Sequence, residues 1–250
     1  MKILLTNDDG VNAKGISVLR EIALQFSDDV WVCAPDTEKS AVSRAVSLHN
    51  PLNLRKLDDR IYSVSGTPTD SVVVALKALM PDGPPDLILS GVNRGQNLAE
   101  DVTFSGTVAG AFQGMQMGVP SIALSLARGF QDAKSLPWDT ALAHGPATIR
   151  TLLEKGWASN VALNVNFPDT APEAVKGLQY TRQGRRDYEM TGVDRRMHPR
   201  GWEYFWLTYG AQKSNPPEGT DLRAVYDGYI SVTPLHLNLT HEDSLSTFGG

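Results

Sequence analysis

Short apolar runs alternate with longer segments of helical periodicity through the first two thirds of the chain. Each apolar run is nonpolar almost throughout, which is typical of parallel strands that are covered on both faces. The predicted strands are Lys2–Thr6, Val30–Ala34, Asp86–Ser90, Ser121–Ser125 and Val161–Val165.

The segments between these runs place apolar residues at every third or fourth position, which predicts helices with one buried face. The predicted helices are Gly15–Phe26, Thr69–Met80, Thr107–Met117 and Asp139–Lys155. Strands that alternate with helices predict an α/β fold, here a Rossmann-like, doubly wound and mostly parallel sheet.

The pattern becomes less regular after residue 180. Residues 183–222 are rich in Gly, Pro, Arg and aromatic residues, and residues 126–138 are predicted to form a surface loop. We therefore predict a Rossmann-like core over residues 1–180. A smaller, β-rich C-terminal extension over residues 181–250 is predicted to carry a hairpin or arm.

Composition fits one large core, since the 250 residues are 41% hydrophobic and 20% charged. The net charge of -5 gives no general attraction for nucleic acid polymers or anionic lipid, so a phosphate ligand would need local positive potential. The single cysteine, Cys33, lies in an apolar run and is predicted to be buried. No stretch approaches the roughly 18 apolar residues of a membrane helix, so we expect a cytoplasmic protein without membrane contact.

Two further groups of residues favour ordinary structural roles. None of the five histidines shows the spacing of a zinc site, so each is expected in solvent or in the core. Basic and aromatic residues near the start of the extension are interleaved with acidic ones, which favours a solvated hairpin or a subunit contact over a nucleic-acid surface. These residues are Arg182, Arg185, Arg186, Tyr188, Arg195, Arg196, Arg200, Trp202 and Tyr204, with Asp187, Glu189, Asp194 and Glu203 among them.

Two adjacent carboxylates, Asp8 and Asp9, directly follow the first predicted strand. Neighbouring like charges repel each other unless a cation lies between them, and Mg²⁺ or Mn²⁺ suits ligands that are all oxygen. The structural alternative is that one aspartate caps the next helix while the other faces water.

Polar residues follow the first three predicted strands, and the carboxyl ends of parallel strands form the ligand-binding edge of such sheets. Asn7–Gly10 follow the first strand, Lys39 and Ser40 follow the second, and Ser90–Asn97 follow the third. Carboxylate, hydroxyl and carboxamide oxygens are the donors that a hard cation prefers, so the sequence predicts a metal site at this edge.

Ser105, Gly106 and Thr107 begin the third predicted helix, with Ser105 as its N-cap. Free backbone N–H groups, two hydroxyls and the positive end of the helix dipole together favour binding of an anion. A similar helix start lies at Gly66–Asp70, where Thr69 and Asp70 are predicted to cap the following helix.

Several strings of residues, in this order and spacing, resemble the SurE family of stationary-phase survival proteins. The same resemblance returns near the C-terminus, and the strings are specific jointly rather than singly. They are Ile3–Val11 with Gly15-Ile16, Ala34–Asp36 with Ser40, Gly66–Asp70, Ser90–Asn97, Ser105–Val108, Gly219–Asp221 and Ser231–Leu235.

The resemblance implies a metal-dependent phosphatase acting on nucleoside 5′- and 3′-monophosphates and, in some members, on short polyphosphate. It implies one divalent ion per subunit, and dimers or tetramers that exchange C-terminal arms. Ala41 and Ala99 stand where family members often carry glycine. The implied metal ligands are Asp8, Asp9, Ser40 and Asn93, and the implied phosphate-binding residues are Asn97, Ser105, Gly106 and Thr107.

The expected mechanism is hydrolysis of a phosphomonoester by a metal-activated water. Asn97, Ser105 and Thr107 would donate hydrogen bonds to the phosphate, while Asp8 would be the proton acceptor or the nucleophile. A phosphoaspartyl intermediate is disfavoured, because haloacid-dehalogenase phosphatases have their aspartates two residues apart.

Two alternatives stay open at this point. A receiver-type signalling domain also holds Mg²⁺ with two acidic residues after its first strand, but it needs a phosphoacceptor aspartate after the third. Here that strand is followed by Ser90, Gly91 and Asn93. A non-catalytic nucleotide sensor would bind nucleotides without releasing phosphate.

Overall fold

A computed structural model describes residues 1–129, 136–187, 191–209 and 214–248. Nine of its strands form one sheet and two form a separate hairpin. The strands are β1 (Ile3–Thr6), β2 (Val30–Pro35), β3 (Leu54–Asp58), β4 (Ile61–Val64), β5 (Leu87–Arg94), β6 (Ser121–Leu126), β7 (Ala162–Phe167), β8 (Leu178–Tyr180), β9 (Thr191–Met197), β10 (Glu203–Tyr209) and β11 (Ile230–Leu235).

All four predicted helices are confirmed, with boundaries that differ by a few residues. One π-helical turn, Ala75–Leu79, continues the second of them, and short 3₁₀ turns lie at Ala99–Thr103 and Pro172–Ala174. The helices are α1 (Lys14–Ala23), α2 (Pro68–Val74), α3 (Gly106–Gln116), α4 (Trp138–Lys155), α5 (Asp221–Tyr226) and α6 (Glu242–Thr247).

The large sheet has the strand order β3-β4-β2-β1-β5-β6-β7-β11-β8. The six strands from β4 to β7 run parallel, while β3 is antiparallel to β4 and β11 is antiparallel to β7. The predicted α/β, mostly parallel fold is thereby confirmed. Because β1 lies between β2 and β5, the residues that follow these three strands meet at one edge of the sheet.

The core has two layers, one on each face of the sheet. On one face, α1 and α4 cover side chains such as Leu5 and Leu89, and on the other face α2 and α3 cover side chains such as Leu4 and Ile88. Cys33 lies in the second layer and is buried, as predicted, and this burial raises the pKa of its thiol to about 12.

The sequence pattern did not predict β3, β4, β8 and β11. β3 is an exposed edge strand, so it lacks the apolar run that marks the central strands. β11 contains Pro234, which argues against a central strand. β8 pairs only with Ile230–Val232, so Pro234 has a neighbouring strand, β7, on one side only. The missing N–H of Pro234 therefore leaves no carbonyl of β8 without a hydrogen bond.

Two local predictions require correction. The strand predicted to end at Ser90 continues to Arg94, with an irregular register against β6 between Ser90 and Asn93, so Asn93 lies in a strand rather than a loop. The N-cap of α2 is Thr67 rather than Thr69, since the Thr67 hydroxyl accepts a hydrogen bond from the backbone N–H of Asp70. The Asp70 carboxylate accepts one from the backbone N–H of Thr67 in return, which completes a capping box.

The C-terminal part carries an antiparallel hairpin formed by β9 and β10, as expected for this segment. β11 then returns to the large sheet, which therefore contains residues from both sides of residue 180. The division into two domains at that residue stays a prediction. Tyr188 and Glu189 of the predicted hairpin, and residues 130–135 of the predicted surface loop, lie outside the described residues.

Across the described ranges, none of the helices combines the length and the hydropathy that a bilayer-spanning segment requires.

Candidate metal and phosphate site

Asp8 lies just beyond β1 and is almost completely buried, with 4% of its surface exposed. Its carboxylate contacts the first turn of α3, where the Thr107 hydroxyl donates a hydrogen bond to Asp8 Oδ1 at 2.5 Å. A Cβ on Gly106 would lie 2.7 Å from Asp8 Cβ and 2.9 Å from Asp8 Oδ2. This close approach requires glycine at position 106, so the predicted metal-binding and phosphate-binding residues adjoin each other.

Asp9 is half-buried and contacts the end of β5. Its Oδ2 accepts a hydrogen bond from the backbone N–H of Arg94 at 3.1 Å. Burial raises the pKa of Asp9, although the positive charges of Arg94 and Arg128 act in the opposite direction. Asn93 precedes Arg94, and its amide nitrogen donates to Gly95 O at 2.9 Å. Its carboxamide oxygen is the atom that would ligate a cation.

The loop after β2 is tied to the same place through its backbone. The N–H of Lys39 donates a hydrogen bond to the carbonyl oxygen of Asp8 at 2.7 Å. This hydrogen bond holds the next residue, Ser40, close to Asp8. Ser40 is exposed, and its hydroxyl donates to Glu38 Oε1 at 2.8 Å. The lone pairs of that hydroxyl oxygen stay available to a cation.

Asn97 is buried and held by a network of polar side chains on β6 and β7. Its backbone N–H donates to Asn166 Oδ1 at 2.8 Å, and its carbonyl oxygen accepts from the amides of Asn164 and Asn166. Its side-chain amide donates to Ser125 Oγ at 2.8 Å, and a second amide hydrogen remains for a ligand.

Three residues of this network were not predicted from the sequence, namely Ser125, Asn164 and Asn166. Asn164 and Asn166 alternate with Val165 along β7 and are fully buried, so they lie on one face of a strand that is otherwise apolar. Polar residues at alternate positions of an otherwise apolar strand are the sequence signal that could have identified Asn164 and Asn166.

Ser105 is the N-cap of α3, as predicted, because its hydroxyl accepts a hydrogen bond from the backbone N–H of Val108 at 3.1 Å. The first turn of α3 contains no acidic residue, so its free N–H groups and the helix dipole give local positive potential. The structure therefore brings Ser105, Gly106 and Thr107 together beside Asp8. This group of residues, with Asn97, is called the phosphate cradle below.

Electrostatics of Asp8 favour a cation at this edge of the sheet. Burial, reinforced by the charge of Asp9, raises the pKa of Asp8 from 3.8 to about 6, whereas the Thr107 hydroxyl acts to lower it. The interactions that shift this pKa include no positively charged side chain. A buried carboxylate next to a second carboxylate is costly unless a cation compensates the charge.

No group of three or more His, Cys, Asp or Glu side chains that could hold a metal occurs in the described ranges. A cation bound here would take mixed oxygen donors from Asp8, Asp9, Ser40 and Asn93. Two carboxylates with a hydroxyl and a carboxamide form a donor set that fits a hard divalent cation.

Residues 3–190 match the family model described as "Survival protein SurE". The chain belongs to the SurE family. The resemblance inferred from the sequence motifs is thus confirmed, and SurE membership decides against the receiver-type alternative.

Named relatives match this SurE chain over nearly its whole length. A protein named 5′-nucleotidase SurE from Hyphomonas neptunium is 56% identical over 247 residues, which are 99% of this chain and 97% of that protein. One of the same name from Caulobacter vibrioides (strain NA1000 / CB15N) is 55% identical over 251 residues, covering 100% of this chain and 95% of its own. The crystal structure of SurE protein from Aquifex aeolicus superposes with a TM-score of 0.85 at 38% identity, covering 99% and 98% of the two chains.

Ala41 and Ala99, which depart from the glycine expected in SurE proteins, both adopt left-handed backbone conformations. Their φ angles are 58° and 51°. A left-handed conformation costs a residue with a Cβ about 1–2 kcal/mol, whereas glycine adopts it without that cost. The two loops therefore keep a conformation that suits glycine, and contacts elsewhere must hold it.

Proposed function

We propose that this SurE chain is a divalent-metal-dependent phosphomonoesterase that hydrolyses nucleoside 5′-monophosphates, and also 3′-monophosphates, to nucleoside and phosphate. The observation that carries the proposal is the buried Asp8 carboxylate, packed beside Asp9 and against the first turn of α3. Full-length relatives named 5′-nucleotidase at more than 50% identity support the same reaction.

The proposed metal ligands are Asp8, Asp9, Ser40 and Asn93, with one Mg²⁺ or Mn²⁺ ion in each subunit. Their oxygen donors fit a hard cation, and Asp8 has no other positive partner among the groups that shift its pKa. Such an ion, when bound, supplies a water of lowered pKa and neutralises negative charge on phosphate oxygens.

We propose that the phosphate cradle holds the phosphate oxygens. The proposed donors are the backbone N–H of Gly106 at the start of α3, the Ser105 hydroxyl and the remaining amide hydrogen of Asn97. The hydroxyl and the backbone N–H of Thr107 both bond to Asp8 and orient its carboxylate. Several buried hydrogen bonds already fix the backbone of Asn97, so this residue needs little reorganisation to receive a substrate.

Asp8 is the proposed proton acceptor for the attacking water, or alternatively the nucleophile itself. Its carboxylate is oriented by Thr107 and lies against the first turn of α3.

A phosphate-release assay tests the proposed function. Each nucleoside 5′- and 3′-monophosphate would be incubated with the protein and Mg²⁺, Mn²⁺ or a chelator, and inorganic phosphate would be measured. We expect phosphate release with either ion and none with the chelator. Short polyphosphate would be tested as a further substrate in the same assay. Nucleotide binding without phosphate under any metal condition would instead identify the non-catalytic sensor.

We further propose that the β9–β10 hairpin packs against a second copy of the chain, giving a homodimer or homotetramer. Large apolar side chains of this hairpin are exposed, including Phe205 at 56%, Trp206 at 59% and Leu207 at 73%. An isolated two-stranded hairpin with so much exposed apolar surface needs a partner surface.

Mutation of the hairpin tests this assembly. Replacing Trp206 and Leu207 together by serine is expected to shift the molar mass toward the monomer in analytical ultracentrifugation, because the apolar contact is lost. Serine in place of the exposed Leu48, which lies outside the hairpin, is the control. An unchanged mass for the hairpin variant would count against the proposed assembly.

A cytoplasmic location of the protein stays a prediction.

A further inference from the structure

The residues that connect Asn97 to Ser105 are held by a buried arginine from beyond residue 180. The side chain of Arg186 is only 4% exposed. Its guanidinium donates to both carboxylate oxygens of Asp101, at 3.1 and 2.7 Å. It also donates to Leu98 O and to Glu100 Oε2, each at 3.3 Å, and its backbone N–H donates to Glu100 Oε1 at 3.0 Å.

Asp101 connects this arginine to the phosphate cradle. Its carbonyl oxygen accepts hydrogen bonds from the backbone N–H groups of Phe104 and Ser105, both at 3.0 Å. A shift of Asp101 therefore moves the N-cap of α3 together with the N–H groups that follow it. Leu98, whose carbonyl accepts from Arg186, directly follows Asn97 at the other end of the connection.

A second attachment from the same extension holds Ala99 in its left-handed conformation. The N–H of Ala99 donates to Asp221 Oδ2 at 2.8 Å, and its carbonyl oxygen accepts from Gln183 Nε2 at 2.9 Å. Asp221 Oδ1 accepts from the backbone N–H of Gly184 at 2.8 Å. Ala99 is fully buried and strained, so these contacts are the ones that oppose relaxation of the loop.

The energetics of the Arg186–Asp101 pair suit a role in geometry. Burial outweighs the attraction of Arg186 and leaves the pKa of Asp101 raised, so the desolvation cost of this pair is large. A two-pronged arginine–carboxylate contact nevertheless fixes both the distance and the plane of the carboxylate. A contact that fixes the carboxylate in this way is suited to positioning.

We propose that Arg186 is a positioning residue for the reaction, which acts through Asp101 to fix the two ends of the phosphate cradle, Asn97 and Ser105, relative to Asp8. This inference rests on the proposed nucleotidase function. It assigns to the C-terminal extension a direct part in the geometry of the reaction.

Two substitutions of Arg186 test the inference. Arg186→Met keeps the apolar stem and removes all the side-chain hydrogen bonds, while Arg186→Lys keeps the charge but cannot span both oxygens of Asp101. Misplacement of a binding group by about 1 Å costs about 10²-fold in rate, so we expect kcat/KM to fall about 10- to 100-fold in Arg186→Met. The fall in Arg186→Lys should be smaller.

Arg223→Gln is the matched control, since Arg223 lies in the same extension and pairs with Asp227 on the surface of α5. It should keep wild-type kinetics. Mn²⁺ affinity, measured by electron paramagnetic resonance, should change less than twofold in both Arg186 variants, because Asp8 and Asp9 are not displaced. Affinity for inorganic phosphate in the presence of Mn²⁺ should fall about as far as kcat/KM does.

The outcomes separate positioning from stability alone. A variant with a lower melting temperature, but with wild-type kcat/KM and phosphate affinity per folded molecule, would overturn the inference. If Arg186→Met does not fold, wild-type values in Arg186→Lys would overturn it equally. Absence of phosphate release from the wild-type protein would refute the proposed function, and the phosphate affinities would still decide the role of Arg186.

Discussion

Asp8→Asn is expected to lower kcat for nucleoside monophosphates by at least about 10²- to 10³-fold, the scale seen when one electrostatic group is removed from an active site. A neutral amide cannot replace a charged metal ligand or accept a proton. The measurement is phosphate release at saturating Mn²⁺, with Mn²⁺ affinity measured alongside. Asp36→Asn, which alters an exposed carboxylate after β2, should retain wild-type turnover.

The same substitution is expected to stabilise the metal-free protein. Because the pKa of Asp8 rises from 3.8 in the unfolded chain to about 6, the folded state binds more protons between these values. The free energy of unfolding therefore falls as pH rises through this window, by about 3 kcal/mol in total. Asparagine carries no charge and avoids this cost.

Denaturant unfolding in chelator checks the stability effect. At pH 8 the Asp8→Asn variant should unfold at a higher urea concentration than the wild type, and the difference should shrink toward pH 4. Near-normal, metal-dependent turnover in this variant would contradict the assigned role of Asp8. If the wild type instead gained stability relative to Asp8→Asn between pH 4 and pH 6, the raised pKa of Asp8 would be contradicted.

Gly106→Ala is expected to reduce kcat/KM by about 10²-fold, because its Cβ would meet Asp8 at 2.7 and 2.9 Å and one of the two must move. Overpacking of this kind also costs about 1–3 kcal/mol of stability. Steady-state kinetics and thermal unfolding measure the two effects.

Gly145→Ala in α4 is the matched control for Gly106→Ala. Its added Cβ would meet the end of the flexible Ile22 side chain at 2.8 Å, in the core and away from Asp8. Its stability is expected to change while kcat/KM does not. Wild-type kcat/KM in Gly106→Ala would show that the contact between Asp8 and α3 has no part in the reaction.

The parts of the fold that sequence predicted are those in which burial leaves a periodic pattern. β1, β5 and β7 are covered on both faces and stand out as apolar runs. β3 is exposed along its length, and β11 contains Pro234, so the local pattern identified neither. Asn93 was misplaced because irregular pairing extends β5 past the expected end.

The candidate site was predictable where chemistry is concentrated locally. Asp8 and Asp9 are adjacent, and Ser105 to Thr107 are consecutive at a helix start, so both are visible in the sequence. Arg186 was grouped with solvent-exposed basic residues, because its partner Asp101 lies 85 positions earlier in the chain. The role of each proposed ligand stays a prediction until the assays above are done.

The hairpin leaves and rejoins the core at one place. The backbone N–H of Arg182 donates to Gly219 O, and the N–H of Asp221 donates to Arg182 O, both at 3.0 Å. Gln183 and Arg186 bond to the residues before α3, but the β9–β10 hairpin beyond them can lengthen, shorten or change its surface without disturbing the nine paired strands. A change confined to that hairpin therefore leaves the residues around Asp8 in place.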